Sequence, residues 1–236
     1  MMMFPAVILA GGLATRLRPL TDSMPKALVD INGEPFISHQ LRLLRKQGVK
    51  DIILSVGYRG EMIRDYVGDG YKFGVDVTYV EDGPQLLGTG GAIKNAIKDI
   101  KNNSFFVLYG DSYLPCDYAA VQEYFITTSK LGLMTVFHNE DKWDSSNIEF
   151  SDQEIVVYDK KVKTPRMKYI DYGLGVLTKE SFMLIQDKDV FDLAAFYQLL
   201  LEKNQLAAYE VKERFYEVGS LTGIDELRYY FSQSAS

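Results

Sequence analysis

The chain has 236 residues, 47% of them apolar and 25% charged, with a net charge of −6 and a single cysteine. This balance belongs to a globular protein with enough apolar material for a sizeable core, and it argues against nonspecific nucleic-acid binding, which needs a basic footprint. Cys116 alone excludes an intramolecular disulfide and a cysteine-rich metal cluster, and it reads as a small semi-buried residue with no histidine near it in sequence. No apolar run reaches membrane-spanning length. The apolar start, residues 1–10, has no basic residues ahead of it and runs straight into a glycine pair. The sequence therefore predicts a cytoplasmic protein without a signal peptide.

Residues 6–10 have the continuous apolar character of a buried parallel strand. Residues 35–47 then carry apolar side chains at helical spacing, closed by Gly48. A strand follows over 51–56, a helix over 61–67, a strand over 75–80, a helix over 91–100 and a strand over 105–109. This βαβ rhythm predicts a Rossmann-like three-layer α/β/α architecture with a mainly parallel central sheet. Ligands of such sheets bind beyond the carboxyl ends of the strands, where Gly11 and Asp111 fall. Beyond residue 131 the pattern changes to strands over 133–137, 148–150, 155–158 and 169–177 with few helices between them. That suggests an antiparallel extension packed on the first sheet and supplying a second pocket. Helices return over 193–203 and 224–231, and the tail 232–236 is expected to fray. No linker-like stretch interrupts the chain, so 1–236 is expected to be one domain. The change of pattern divides it into a first half, 1–130, and a second, 131–236. No hexapeptide repeat for a C-terminal β-helix is present.

The turn after the first strand is suited to a polyphosphate. Gly11 and Gly12 have no Cβ, so backbone N–H groups can approach phosphate oxygens closely. Arg16 offers a planar fork of donors, and Lys26 a compact charge on a flexible stem. The pattern is neither a Walker loop nor the Gly-x-Gly-x-x-Gly dinucleotide fingerprint.

Gly11-Gly12, Thr15-Arg16-Leu17, Pro19-Leu20-Thr21 and Pro25-Lys26, in this order and spacing, closely resemble the signature of the sugar-1-phosphate nucleotidyltransferases. The resemblance implies the nucleotide-diphospho-sugar transferase type of fold and a reaction between an NTP and a sugar 1-phosphate, giving an NDP-sugar and pyrophosphate. The sugar phosphate is already ionised near neutral pH, since a phosphate monoester has its second pKa near ~6. Catalysis would then rest on positioning and charge stabilisation. By resemblance, Arg16 clamps the departing phosphates, Lys26 meets the sugar phosphate and the α-phosphate, and Asp111 of Leu108-Tyr-Gly-Asp111 holds Mg²⁺. Arg18 is as readily a solvated charge as a phosphate contact. The second metal ligand falls on Glu217, in Phe215-Tyr-Glu-Val-Gly-Ser220, where many relatives have Asp-x-Gly-Thr.

The nucleotide is expected on Leu9, Ala10, Gly11, Gly12, Thr15, Arg16 and Gly110, with Gly88 and Thr89 near base and ribose and Gly57 at a bordering strand end. Relatives have Leu-Gly-Thr-Ala-Gly-Ala where this chain has Leu87-Gly-Thr-Gly90-Gly-Ala. Candidates for the sugar are Asn147, Asp159, Lys160, Asp171 and Gly173; Tyr158-Asp-Lys160 replaces a family Glu-Lys pair and Asp171-Tyr-Gly173 an Asn-Ala-Gly. Tyr169, Tyr172 and Phe182 read as core or pocket wall, His39 as an exposed helix residue, His138 as a strand end, and Trp143 as part of a polar loop placed to overhang the pocket.

Within the family, the Tyr-Asp-Tyr-Gly-Leu-Gly-Val and Phe-Tyr-Glu-Val-Gly-Ser segments look most like D-glycero-α-D-manno-heptose 1-phosphate guanylyltransferases. That resemblance implies GTP as donor, a GDP-heptose product for surface polysaccharide or S-layer glycan synthesis such as capsule or lipopolysaccharide, and a possible homodimer. Mannose 1-phosphate with GTP and N-acetylmuramate 1-phosphate with UTP are the alternatives. A different class, a silent paralogue that senses NDP-sugars, is disfavoured by the presence of Arg16, Lys26 and Asp111 together.

Overall fold

Strand β1 (Ala6–Ala10) lies at the heart of a nine-stranded sheet in the computed structural model, which describes residues 2–12, 17, 19–81, 83, 87–185 and 189–234. In chain order there follow β2 (Asp30–Ile31), β3 (Glu34–Pro35), α1 (Phe36–Lys46), β4 (Asp51–Val56), α2 (Gly60–Val67), β5 (Asp76–Glu81), α3 (Gly88–Ala96) and β6 (Ser104–Tyr109). Next come β7 (Ser112–Tyr113), α4 (Tyr118–Thr128), β8 (Gly132–His138), β9 (Ile148–Ser151), β10 (Glu154–Tyr158) and β11 (Tyr169–Thr178). The chain closes with α5 (Leu193–Glu202), β12 (Leu206–Val211), β13 (Tyr216–Glu217) and α6 (Leu221–Ser234). No helix among the described residues is long and apolar enough to cross a membrane.

β1 pairs in parallel with β4 and β6, and β4 with β5. The side chains of β1 alternate between the two faces, and both faces are covered. Ala6 and Ile8 join a core with Ile37, Leu41 and Leu44 of α1 and Val121 of α4, while Val7 joins one with Ile93 of α3 and Phe196 of α5. All of these except Phe196 are fully buried, which is why β1 reads as an unbroken apolar run. The result is the predicted three-layer fold. A third, smaller cluster of Leu17, Val29, Ile31, Val218 and Leu227 ties the N-terminal turn to α6.

Five features differ from expectation. The second half does not pack on the first sheet but extends it edge to edge: β11 runs antiparallel to β6 along Leu174–Thr178, and β8 and β9 pair with β11 in turn. β12, absent from the sequence reading, pairs in parallel with β8. Helix α4 was likewise not foreseen, although the Asp117 carboxylate accepts from the Ala120 N–H at 3.0 Å as an N-cap. The helix predicted over 91–100 spans Gly88–Ala96 instead, because Gly90 and Gly91 both donate to the Phe191 carbonyl and start it one turn early. His39 is half-buried, not exposed. Its ring stacks on Phe231 with centroids 4.4 Å apart, and its Nε2 lies 3.0 Å from the Ile31 carbonyl.

Candidate active site

A cavity of about 400 Å³ opens where β1, β4 and β6 end. Leu9, Ala10, Gly11 and Gly12 form its floor, with Lys26, Gly110 and Asp111 on one side and Leu87, Gly88 and Thr89 on the other. Seven of the expected nucleotide-binding positions thus line one cavity. Thr15, Arg16 and Arg18 lie outside the described residues. Gly57 sits in the turn between β4 and α2, where its carbonyl accepts from the Gly60 N–H, and does not line the cavity.

The local backbone explains why glycine stands at these positions. A Cβ on Gly110 would lie 2.5 Å from the Leu9 carbonyl oxygen, so only glycine lets the end of β6 cross so close to β1. The Gly110 N–H donates to that same carbonyl at 2.9 Å. Asp111 follows directly, and its Oδ2 is 2.8 Å from Lys26 Nζ. Lys26 opens a short 3₁₀ turn after Pro25, with Ala27 buried behind it. The side chains of Lys26 and Asp111 remain 18% and 29% exposed, open to a ligand entering the cavity.

On the opposite wall, α3 and the segment before α5 are fastened to each other. The Phe191 carbonyl accepts from Gly90 and Gly91, the Phe191 N–H donates to Leu87, and Thr89 Oγ1 accepts from the Leu193 N–H at 2.8 Å. Lys94 pairs with Asp189 at 3.0 Å. The Gly90 and Gly91 N–H groups at the start of α3 are therefore satisfied by protein. Gly90 is explained by the Phe191 ring, which would lie 2.2 Å from a Cβ there.

Beside the cavity, across the Tyr109 ring, a second cluster gathers on β11. Asp171 has a side chain only 4% exposed and accepts from Tyr158 Oη at 3.2 Å and the Gly173 N–H at 3.1 Å, with Lys160 Nζ at 3.2 Å. Asn147 Oδ1 accepts from the Asp171 N–H at 3.0 Å. Gly173 has φ +103°, and the bulge it allows falls where the β11–β8 register shifts. Burial holds the hydroxyls of Tyr109, Tyr158 and Tyr197 well above their ordinary pKa, and the Asp171 carboxylate adds to the effect, so all three stay neutral donors. Asn147, Lys160, Asp171 and Gly173 are thus brought together. Asp159 is not. Its carboxylate accepts from the Lys161 and Val162 N–H groups at 2.7 and 2.9 Å, which holds its pKa below the usual range. It shapes the turn that carries Lys160.

Cavity and cluster together make a site with a glycine-bearing floor, an ion pair on one side and a buried carboxylate beside it. The nucleotidyl transferase family profile matches residues 5–226 of this chain. The protein belongs to that family. It is 32% identical to D-glycero-α-D-manno-heptose 1-phosphate guanylyltransferase from Campylobacter jejuni, over 91% of this chain and 94% of the relative. Mannose-1-phosphate guanyltransferase from Saccharomyces cerevisiae is 31% identical over 90% of this chain, which spans 60% of the yeast protein's length. The structure of HddC from Yersinia pseudotuberculosis complexed with GMP-PN superposes with a TM-score of 0.80 at 29% identity, covering 97% of this chain and 100% of that one.

In this nucleotidyl transferase the second expected metal ligand is engaged elsewhere. Glu217 pairs with Ser112 across the β13–β7 ladder, beside Asp111. Its Oε1 accepts from Ser220 Oγ at 2.5 Å, and its Oε2 accepts from the Gly219 N–H. The carboxylate is folded under the start of α6, where Gly223 leaves room for it. Among the described residues no three acidic, histidine or cysteine side chains converge as a ready metal cage. Magnesium does not need one, since it commonly takes one or two carboxylates and completes its shell with water and phosphate. Asp111 fits that role as a hard oxygen donor facing the cavity.

Sequence reasoning missed several residues of the site, among them Asp192, Ala92 and Tyr109. Asp192 and Ala92 line the cavity, and Tyr109 divides it from the Asp171 cluster. The signal for Asp192 was only that of a helix N-cap. Trp143 was placed over the pocket, yet it lies under Arg214, whose guanidinium carbon is 3.3 Å from the ring centroid. Tyr172 and Phe182 are buried as expected, and so is Cys116.

Proposed function

We propose that this nucleotidyl transferase transfers GMP from GTP to D-glycero-α-D-manno-heptose 1-phosphate, releasing pyrophosphate. One observation carries the reading: the similarity to the Campylobacter heptose enzyme runs the length of both chains and so spans both the cavity and the Asp171 cluster. The proposal treats residues 1–130 as the nucleotide-holding half and 131–236 as the sugar-holding half of one catalytic unit.

In the proposed reaction a sugar phosphate oxygen attacks the α-phosphorus in line. A new P–O bond forms as the bond to the bridging oxygen of pyrophosphate breaks. Gly11 and Gly12 present backbone N–H groups to the phosphates, with Arg16 on the departing pair. Lys26, beside the reacting centre, neutralises charge that builds on both substrates' phosphates. Asp111 would hold a magnesium ion, which would supply charge neutralisation at the phosphates, while Glu217 beside it is held by Ser220 and Gly219. Asp171, held nearly dry by Tyr158 and Gly173, accepts hydrogen bonds from sugar hydroxyls, while Lys160 meets the sugar phosphate.

The similarity to mannose-1-phosphate guanyltransferase supports a second reading in which mannose 1-phosphate is the acceptor. The two acceptors share the manno arrangement of hydroxyls. Pyrophosphate release across four NTPs and a panel of sugar 1-phosphates separates them. Release with GTP and the heptose alone is the expected result. Release with another pair replaces the substrate, and silence with tight NDP-sugar binding replaces the activity by sensing.

A further inference from the structure

Gln40 lies on α1, on the face turned to the sheet, with 1% of its surface exposed. Its Nε2 donates to the Tyr109 carbonyl at 3.0 Å and to the Ser112 carbonyl at 2.9 Å. These two carbonyls bracket Gly110-Asp111. Both are acceptors, so only the NH₂ end of the amide can serve them, and the orientation of Gln40 is determined. Its Oε1 is then left buried without a partner.

That orphan oxygen is informative. An unsatisfied buried carbonyl is a standing cost that methionine or leucine at the same place would avoid. Packing alone therefore does not account for glutamine here; the two donated bonds do. In the tight turn that they hold, the Gly110 N–H also donates to Leu9 and the Val218 N–H to the Asp111 carbonyl, both at 2.9 Å, and Ser112 Oγ donates to Asp111 Oδ1 at 3.3 Å. β1, α1 and the residue that follows β13 thus grip the turn, and Gln40 is the side chain that grips it from α1.

We propose that Gln40 is a positioning residue for Asp111: it clamps the carbonyls on either side so that the carboxylate keeps its place beside Lys26. The inference rests on the reading in which Asp111 holds the metal. Gln40 itself touches neither substrate nor metal. A shift of about 1 Å at a reacting centre can cost about a hundredfold in rate, so a clamp on the backbone that carries Asp111 has a measurable effect.

The test uses Gln40→Met, which keeps length and removes both donors, and Mn²⁺ as the probe, its binding followed by the loss of the free-ion EPR signal. Gln40→Leu stands in if the methionine protein does not fold. Mn²⁺ affinity is expected to fall about fivefold or more and kcat about tenfold or more, with KM for GTP and sugar 1-phosphate within about threefold of wild type. In an Asp111→Asn background the same change should leave the residual Mn²⁺ affinity within about twofold, because the clamp acts through Asp111. If Asp111→Asn weakens Mn²⁺ binding but Gln40→Met does not, the clamp is overturned and the metal reading stands. If Asp111→Asn leaves Mn²⁺ binding intact, the metal reading falls and takes the clamp with it. A fall in Mn²⁺ affinity of equal size in both backgrounds would make Gln40 a general structural residue and overturn the proposal.

Discussion

Lys26 Nζ stands 2.8 Å from Asp111 Oδ2, on one side of a cavity suited to two polyanions. Both groups are partly exposed, so the bond is screened and adds little to stability. Its significance lies in what each partner does when substrates arrive. Were Asp111 to hold a cation, Lys26 would lose its carboxylate partner, and its ammonium would be free for phosphate oxygens. Lys26→Ala should therefore lower turnover by about 10²–10³, as removal of a charge-stabilising contact does. The same change should tighten, not weaken, Mn²⁺ binding to the nucleotide-free protein, by about threefold to tenfold, because a competing charge has gone. An EPR titration with Mn²⁺ reads the second effect; weaker binding in the variant would contradict the exchange.

Asp159 and Asp171 were equal candidates in the sequence, and the structure separates them. Asp171 is nearly dry and ringed by donors, whereas Asp159 caps its own turn. Asp171→Ala should raise KM for the sugar 1-phosphate about tenfold to a hundredfold, the scale of a hydrogen bond to a charged group, with KM for GTP little changed. Asp159→Ala should alter either KM by about twofold at most, and act on stability by about 1 kcal/mol through the lost turn bonds. Initial rates with each substrate varied in turn decide between these outcomes. A larger sugar effect from Asp159 would mean that the turn opens when substrate binds.

The parts of this molecule that could be read ahead of its structure were those governed by local pattern. β1, α1 and β4 declare themselves through apolar runs and helical spacing, and Gly110 with Asp111 through a strand that ends in a tight turn. α4 was hidden because Tyr-Ala-Ala-Val-Gln-Glu-Tyr-Phe-Ile-Thr-Thr is rich in aromatic and β-branched residues, which favour strands. Its helix follows from the Asp117 cap and from packing Val121 and Phe125 on the sheet. β12 was hidden for the converse reason. Its Ala207 and Ala208 have weak strand preference, and the strand exists because β8 offers an open parallel edge. A carboxylate beside a lysine has the same sequence whether it caps a turn or faces a sugar. Asp159 could therefore not be told from Asp171 without knowing which backbone N–H groups surround it.

Cys116 tests the packing beneath the site. It is buried against Tyr172 and Tyr118, and desolvation pushes its thiol up to about 12. The thiolate is the reactive form, so a raised pKa keeps the residue inert at any pH below that value. The native protein at pH 8 should resist iodoacetamide, while the urea-unfolded protein should react at the rate of a free thiol. The sign for stability follows: the unfolded thiol ionises from about pH 8.5 upward and the folded one does not, so alkaline pH favours unfolding through this group. Rapid native alkylation at pH 8 would show that this region opens.

At Gly90 the Phe191 ring occupies the space that a methyl group would need. Gly90→Ala should cost about 1–3 kcal/mol, as overpacking does, despite the helix preference of alanine. The loss should be recovered in Gly90→Ala/Phe191→Leu, because the smaller side chain vacates that space. Thermal unfolding of the two variants and wild type measures it. If the single variant is as stable as wild type, the ring is free to turn aside and the segment before α5 is not fixed by this contact.

Asp192 gives the final prediction, and it concerns the base. The residue precedes α5, yet its side chain makes no cap hydrogen bond; Thr89 Oγ1 takes the Leu193 N–H instead. Its carboxylate is left at the cavity wall, where its Oδ1 would be 3.1 Å from a Cβ on Gly88. A second negative charge in a site for polyanions is unfavourable unless it meets hydrogen-bond donors. Guanine presents two on one edge, N1–H and the 2-amino group, whereas uracil presents one N–H between two carbonyls. If Asp192 reads that edge, the wild-type protein prefers GTP over ITP, which lacks the 2-amino group. Asp192→Ala should then lower kcat/KM for GTP by about tenfold to a hundredfold and reduce the preference over ITP toward unity. An unchanged GTP-to-ITP ratio in the variant would remove Asp192 from base recognition. A loss shared equally by GTP and ITP but absent with 2′-deoxy-GTP would place its carboxylate on the ribose.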